Sequence, residues 1–219
     1  MNAPGSAQGA AEHDWAGEEA GYATRSPALY FDQSLGREAA KILPGECYVT
    51  GLDMVLVTVL GSCVAACIRD PAVKIGGMNH FMLPEATADE SVASQPMRYG
   101  VYAMEVLIND ILRRGGRRER LEAKVAGGGN VLRGRGAGSA TVGERNAAFV
   151  LRFLETEGIR VVGQDLELNH ARKIYYFPAS GRLRVKELRT LANDTLARRE
   201  GEYRARLAAE GHGKIELFG

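Results

Sequence analysis

Residues 60–81 read LGSCVAACIRDPAVKIGGMNHF, with an apolar run on each side of Asp70-Pro71-Ala72-Val73. Two such runs around a short turn predict an antiparallel β-hairpin. A four-residue loop at 70–73 pairs Arg69 with Lys74 and places Cys63 opposite His80. Directly opposed residues project from one face, with Cβ atoms ~4.5–5.5 Å apart. The hairpin therefore predicts a thiol beside an imidazole.

That pair suits nucleophilic catalysis. A free thiol has a pKa near ~8.5, and a neighbouring imidazole stabilises the reactive thiolate. Cys63 is expected to attack an amide, and His80 to protonate the departing ammonia. Gly61 and Ser62 leave room for backbone N–H groups to face an oxyanion, and Asn79 is a further candidate for contact with the substrate or the oxyanion.

The alternative interpretation of each cysteine is inert packing, because cysteine is among the most buried residue types. Cys67 is assigned to packing. A zinc ion shared with Cys63 is disfavoured, because four strand residues separate the Cα atoms by ~13 Å. We expect no metal site.

Composition indicates a single soluble domain. The chain has 219 residues with 28 basic and 27 acidic side chains, a formal charge of +1, which gives no broad attraction for nucleic acid or anionic lipid. Met1 to Glu19 lacks the basic start and apolar run of a signal peptide, and no segment has the ~20 apolar residues that cross a bilayer. We expect a cytoplasmic protein without membrane insertion. Its three cysteines make a disulfide framework unexpected.

The chain divides into a disordered N-terminal tail at residues 1–27, a domain at 28–189, and a charged, helical C-terminal tail at 190–219. Both tails lack the apolar pattern that binds a segment to a core. Apolar spacing predicts a helix around 101–112 and a second helix at 144–157, where Asn146 is expected to cap the helix or to be solvated. Strands are predicted at 46–50, 54–60, 64–69, 75–83, 121–126, 173–177 and 182–188.

Gly127-Gly128-Gly129 lacks the spacing of a phosphate-binding loop. These glycines are expected to let backbone approach a substrate or a neighbouring strand closely.

Several motifs, in the same order along the chain, resemble those of a known protein family. LPGE at 43–46, TVLGSCVAACIRDP at 58–71 and GGMNHFMLP at 76–84 resemble the core signature of the CheD family of chemoreceptor glutamine deamidases. LEAKVAGGGNVL at 121–132, VGERNAAF at 142–149 and RKIYYFPASGRL at 172–183 extend the likeness to about residues 30–188. The resemblance implies an α/β (α+β) fold of one domain, with a three-layer arrangement of β-sheets and helices packed on one face.

The resemblance also implies a Cys-His-Thr catalytic set, and Cys63 and His80 carry over directly. The family's threonine precedes the cysteine by six residues, where this chain has Val57, while Thr58 stands five before it. Thr58 is assigned, since a bulge beside an active site restores such a position. Its alternative is a β-branched residue that packs in a strand.

The implied activity is hydrolysis of glutamine side-chain amides on methyl-accepting chemotaxis receptors through a cysteine thioester, with no metal or organic cofactor. The family further implies methylesterase activity in some members and a partner of the CheC phosphatase type.

Two alternatives stay open. A non-enzymatic adaptor that binds receptors and chemotaxis phosphatase or kinase components would use the same surface. A cysteine peptidase or transglutaminase would use the same nucleophile.

Overall fold

A computed structural model describes residues 27–83, 95–130, 140–188 and 193–210. These residues form ten strands, three α-helices and one short 3-10 helix at Arg118–Arg120. The strands are β1 (Ala28–Asp32), β2 (Arg37–Lys41), β3 (Cys47–Thr50), β4 (Val55–Leu60), β5 (Val64–Asp70), β6 (Ile75–Asn79), β7 (Glu122–Gly127), β8 (Arg160–Leu166), β9 (Ala171–Phe177) and β10 (Arg182–Leu188). The helices are α1 (Gln95–Arg113), α2 (Val142–Thr156) and α3 (Asn193–Glu210).

The strands form two five-stranded sheets. The first sheet has the order β1-β2-β4-β9-β10 and the second the order β3-β6-β5-β7-β8. Neighbours are antiparallel except β2 with β4 and β7 with β8, which are parallel. The expectation of a mixed α/β fold with sheets and helices is thereby confirmed.

Alternation along β5 places its side chains in two separate cores. Val64, Ala66 and Ile68 pack with α1 and α2 in one apolar cluster, whereas Ala65 and Cys67 pack with residues of the first sheet in another. Leu56 and Leu60 of β4 belong to this second cluster. β4 is buried on both faces, because Val55 and Val57 pack in a third cluster on its other side.

The register of the β5–β6 hairpin differs from the predicted one by two residues. Asp70 pairs with Ile75, and the turn is 71–74 instead of 70–73. The Asp70 carboxylate accepts the Ala72 N–H at 2.9 Å, and Lys74 takes a left-handed conformation at φ 58°. The predicted direct opposition of Cys63 and His80 is therefore wrong. An even shift conserves the face, so both residues still lie on the side of the first sheet.

Three strands escaped prediction, namely β1, β2 and β8. The predicted N-terminal tail lies outside the described residues except Pro27. The predicted C-terminal helix exists as α3, but the expectation that it lacks attachment to the core is wrong, because Glu200 and Tyr203 are 2% and 5% exposed.

Within the described ranges, no helix combines the length and apolar character needed to cross a membrane.

Candidate active site

His80 lies in the space between the two sheets and contacts β4. Its Nδ1 is 2.8 Å from the Thr58 hydroxyl oxygen, and the same hydroxyl lies 2.7 Å from the Ile42 carbonyl oxygen. A hydroxyl has one proton, and the carbonyl can only accept it. Thr58 therefore donates to Ile42 and accepts from Nδ1–H of His80. This arrangement leaves the lone pair of the ring on Nε2.

The side chain at the neighbouring position on β4 points away from His80. Val57 packs in the cluster on the outer side of the first sheet, with Ala39 and Phe177. Thr58 is 3% exposed and points inward, as alternation along a strand requires. Of the two positions considered for the family's threonine, only Thr58 meets His80.

The LPGE turn fixes the backbone of His80 on both sides. Gly45 N–H donates to the His80 carbonyl oxygen at 2.7 Å, and His80 N–H donates to the Glu46 carbonyl oxygen at 3.0 Å. Gly45 has φ +85°, a conformation that favours glycine. The Glu46 carboxylate closes the turn by accepting the Leu43 N–H at 2.8 Å. This motif therefore holds the candidate base in place.

The His80 ring is almost completely buried. The residue is 2% exposed, and its burial lowers the pKa from 6.5 to about 4. Nε2 has no hydrogen-bond partner among the described residues. At neutral pH the ring is uncharged and carries an unused acceptor, which is the form a general base requires.

Cys63 lies on a loop that the glycine cluster and α2 hold from both sides. Gly128 N–H donates to the Cys63 carbonyl oxygen at 2.8 Å, and Gly129 N–H to the Gly61 carbonyl oxygen at 2.7 Å. A Cβ atom at Gly127, where φ is +115°, would stand 2.1 Å from the Cys63 carbonyl oxygen. The prediction that these glycines permit close backbone approach is confirmed.

Asn146 of α2 supports the same loop, a role that sequence reasoning missed. Its Nδ2 donates to the Ser62 carbonyl oxygen at 2.8 Å, and its Oδ1 accepts the Leu83 N–H at 2.9 Å. Asn146 is fully buried. The expectation that it caps α2 or faces solvent is wrong; Thr141 caps this helix, in a capping box with Glu144.

A carboxylate from α3 occupies the loop of Cys63. Glu200 Oε1 accepts the Ser62 N–H at 2.9 Å and the Cys63 N–H at 3.4 Å, while Oε2 accepts the Ser62 hydroxyl at 2.6 Å. Two backbone N–H groups thus converge on one oxygen, the geometry expected of an oxyanion hole. Glu200 had no signal in the sequence, because it lies 137 residues from Cys63.

The Cys63 thiol is fully buried. Burial raises its pKa well above the ordinary value, and the negative charge of Glu200 and a hydrogen bond to that carboxylate raise it further. The unpartnered Nε2 means that His80 makes no hydrogen bond to the thiol in this arrangement. The thiol is therefore protonated in this arrangement.

A cavity of about 340 Å³ opens beside these groups. Thr58, His80 and Glu200 reach it from within the protein, and Lys41, Lys173 and Arg199 bring positive charge to its wall. Its remaining lining residues are Tyr30, Ile42, Leu43, Pro44, Val57 and Val59. The cavity is large enough for a side chain to approach His80.

The other predicted residues lie apart from this chemistry. Asn79 Oδ1 accepts the Ala66 N–H at 2.9 Å and its Nδ2 donates to the Ala103 carbonyl oxygen at 3.0 Å, so its amide ties β5 to α1. Gly61 contributes a carbonyl acceptor to the loop. Cys67 packs in the core between the sheets and, like the other two cysteines, is free.

Comparison with known proteins shows which proteins this chain is similar to. A family model described as CheD chemotactic sensory transduction matches residues 82–187. The probable chemoreceptor glutamine deamidase CheD of Herminiimonas arsenicoxydans is 59% identical over 192 residues, which cover 87% of this chain and 94% of that protein. Proteins of the same name from Janthinobacterium sp. (strain Marseille) and Methylobacillus flagellatus are each 58% identical, with the same coverage.

A crystal structure of a Neisseria meningitidis protein aligns with 62% of this chain and 66% of its own, at 13% identity and a TM-score of 0.40. The curated relatives are far closer, since more than half of their aligned residues are identical along nearly their whole length. On that likeness, the chain belongs to the CheD family.

Proposed function

We propose that this chain deamidates glutamine side chains of methyl-accepting chemotaxis receptors, as the names of its relatives describe. The observation that carries the proposal is the buried Thr58–His80 pair, whose neutral ring keeps Nε2 unused. Beside it, two backbone N–H groups at Ser62 and Cys63 point at one carboxylate oxygen. A base and an anion-binding pair beside a thiol are the parts that amide hydrolysis by a cysteine requires.

The mechanism is a cysteine-dependent hydrolysis in two steps. Nε2 of His80 takes the Cys63 thiol proton, and Sγ bonds to the side-chain carbonyl carbon of the glutamine. The carbonyl oxygen becomes an oxyanion that accepts the Ser62 and Cys63 N–H groups. The carbon–nitrogen bond then breaks, and the imidazolium gives its proton to the departing ammonia.

Water completes the cycle. His80 removes a proton from water, which adds to the γ-glutamyl thioester, and the carbon–sulfur bond breaks to release glutamate and the thiolate. The thiolate recovers the proton from His80. No oxidant, metal or organic cofactor enters this sequence, and Thr58 holds the ring in the tautomer that both steps need.

The proposed setting follows from the family. The domain acts in the cytoplasm on the receptors, with a CheC-type phosphatase as a regulatory partner. We also assign the fold to three layers, since one core joins the two sheets and another joins the second sheet to α1 and α2.

Mass spectrometry of a co-expressed receptor fragment tests the activity through the small mass increase of each Gln-to-Glu conversion. Wild-type protein should convert specific glutamines, and Cys63→Ala should not. Cys67→Ala is the matched control, since it removes another buried thiol of the same core. Conversion by Cys63→Ala at the wild-type rate would favour another nucleophile; loss of conversion with retained receptor signalling by that variant would favour the adaptor.

A further inference from the structure

Helix α3 brings a buried acid into the candidate active site. Glu200 is 2% exposed, and both of its carboxylate oxygens accept hydrogen bonds from Ser62 or Cys63. Burial of a carboxylate is unfavourable unless hydrogen bonds replace its water. Here two backbone N–H groups and one hydroxyl replace it. The loop of Cys63 is therefore a formed binding site for a glutamate side chain.

The bound group has the chemistry of a reaction product. Deamidation of glutamine yields glutamate, and Oε1 of Glu200 occupies the position where the substrate's carbonyl oxygen would accept the Ser62 and Cys63 N–H groups. The residue that carries the candidate nucleophile, Cys63, donates its own backbone N–H to the same carboxylate at 3.4 Å. Nucleophile, anion-binding groups and glutamate side chain are thus in one place.

A second side chain anchors α3 one turn later. Tyr203 is 5% exposed and packs in the core between the sheets, its hydroxyl contacts that of Tyr99, and a Cβ atom at Gly45 would stand 3.0 Å from it. The side chains of Arg198 and Glu202, on the other face, are 72% and 68% exposed. Between residues 198 and 206, the helix therefore buries the side chains of Glu200 and Tyr203, while most of the others are exposed.

We propose that α3 is an internal ligand of the active site. Its Glu200 side chain binds there in the way that the glutamate product of deamidation would bind. This inference rests on the deamidation proposed above. It also means that a receptor helix must displace α3, so that the two compete for one site.

A direct consequence is that glutamine at position 200 becomes a substrate of its own chain. In a Glu200→Gln protein, Sγ of Cys63 bonds to the side-chain carbonyl carbon and ammonia leaves with a proton from His80. Water then breaks the carbon–sulfur bond, which restores the thiol and leaves glutamate at position 200. Atoms and protons balance with water as the only co-reactant.

The experiment is peptide mass spectrometry of purified full-length Glu200→Gln protein. Residue 200 should be found as glutamate, with a first-order rate that does not depend on protein concentration. Two controls should retain glutamine: Cys63→Ala combined with Glu200→Gln, and Glu202→Gln, whose side chain points to solvent on the same helix. Circular dichroism checks that each protein is folded.

The outcomes separate this inference from the activity on which it rests. If the Glu200→Gln protein keeps the introduced glutamine but still deamidates a receptor fragment, the internal ligand is overturned and the proposed function stands. If it keeps that glutamine and the receptor fragment is also inert, both are overturned. Conversion only between molecules, with a rate proportional to concentration, also overturns the inference.

A second measurement tests the inference even if the Glu200→Gln protein does not fold. Glu200→Ala in the full chain removes the competing carboxylate, so the KM for a receptor fragment should fall about tenfold or more, the order of change from losing one hydrogen bond to a charged group. Glu202→Ala should leave the KM at the wild-type value. An unchanged KM in Glu200→Ala overturns the competition.

Discussion

The Thr58 hydroxyl lies 2.8 Å from Nδ1 of His80 and 2.7 Å from the Ile42 carbonyl oxygen, and it can donate only to the second. The histidine must therefore carry its proton on Nδ1, and Nε2 remains basic. In the proposed mechanism Thr58 acts on the chemistry through the ring of His80. It is a positioning residue in the proposed mechanism.

Thr58→Val tests that role. The substitution keeps the shape of the side chain but deletes the hydroxyl, so His80 loses its tautomer constraint and kcat should fall ~10² to 10⁴-fold, as for other positioned polar groups. The measurement is steady-state ammonia release from a receptor fragment. Thr58→Ser should restore most of the rate. Wild-type kcat in Thr58→Val would reduce Thr58 to strand packing.

The burial of His80 predicts an acid-sensitive fold. In the folded protein the ring stays neutral down to pH about 4, whereas in the unfolded chain it takes a proton near pH 6.5. The unfolded state therefore binds more protons between these values, and the free energy of unfolding should fall by about 3 kcal/mol as the pH drops from 6.5 to 4.

Urea unfolding at a series of pH values measures this loss, with His80→Gln as the comparison. The variant should lack the His80 contribution and show a shallower decline over the same range. Parallel declines in both proteins would assign the acid sensitivity to other groups.

Asn146 should support both stability and turnover. Asn146→Leu keeps the volume but leaves the Ser62 carbonyl oxygen and the Leu83 N–H without partners, at a cost of about 2–4 kcal/mol in the free energy of unfolding. Because the Ser62 loop carries the oxyanion donors, kcat should fall more than KM changes. Asn109→Leu is the control, since among the described residues that side chain donates its hydrogen bond to Glu105 on its own helix. Equal effects in the two variants would contradict the prediction.

Alanine substitutions at two glycines with positive φ distinguish the cost of backbone strain from the cost of a steric clash. Gly115 has φ +100° with nothing within 4 Å of an added Cβ, so Gly115→Ala should lower the free energy of unfolding by only about 1–2 kcal/mol. Gly127→Ala adds a Cβ 2.1 Å from the Cys63 carbonyl oxygen and should lower it by more than about 3 kcal/mol, with loss of activity. Thermal unfolding compares the stability of the two variants. A Gly127→Ala protein as stable as Gly115→Ala would contradict the prediction, because it would show that the Cys63 loop moves at little cost to make room for the Cβ atom.

Residue patterns in the sequence were enough to predict the central strands. The apolar runs of β4 and β5 follow from burial, and the predicted hairpin placed Cys63 and His80 on one face. The two-residue error in register arose because the turn shifted to 71–74, where Lys74 adopts a left-handed conformation that a turn rule does not favour for lysine.

The parts that escaped prediction lack local periodicity. Leu29 and Phe31 of β1 are each 58% exposed, so no alternation of buried side chains marks that strand. Glu200 and Tyr203 share one edge of α3 while Arg198 and Glu202 face solvent, and two buried residues do not make an amphipathic stripe. Their burial depends on contacts with segments more than a hundred residues earlier in the chain.

The central claim is that Cys63 forms a covalent thioester with the substrate glutamine. Acid quenching of wild-type protein within the first turnovers on a receptor peptide, followed by intact and peptide mass spectrometry, tests it directly. The account predicts an adduct on Cys63 with the mass of enzyme plus peptide less one ammonia, absent from Cys63→Ala, which should also form no glutamate. An adduct that maps to another residue, or glutamate formed at the wild-type rate by Cys63→Ala, would contradict it.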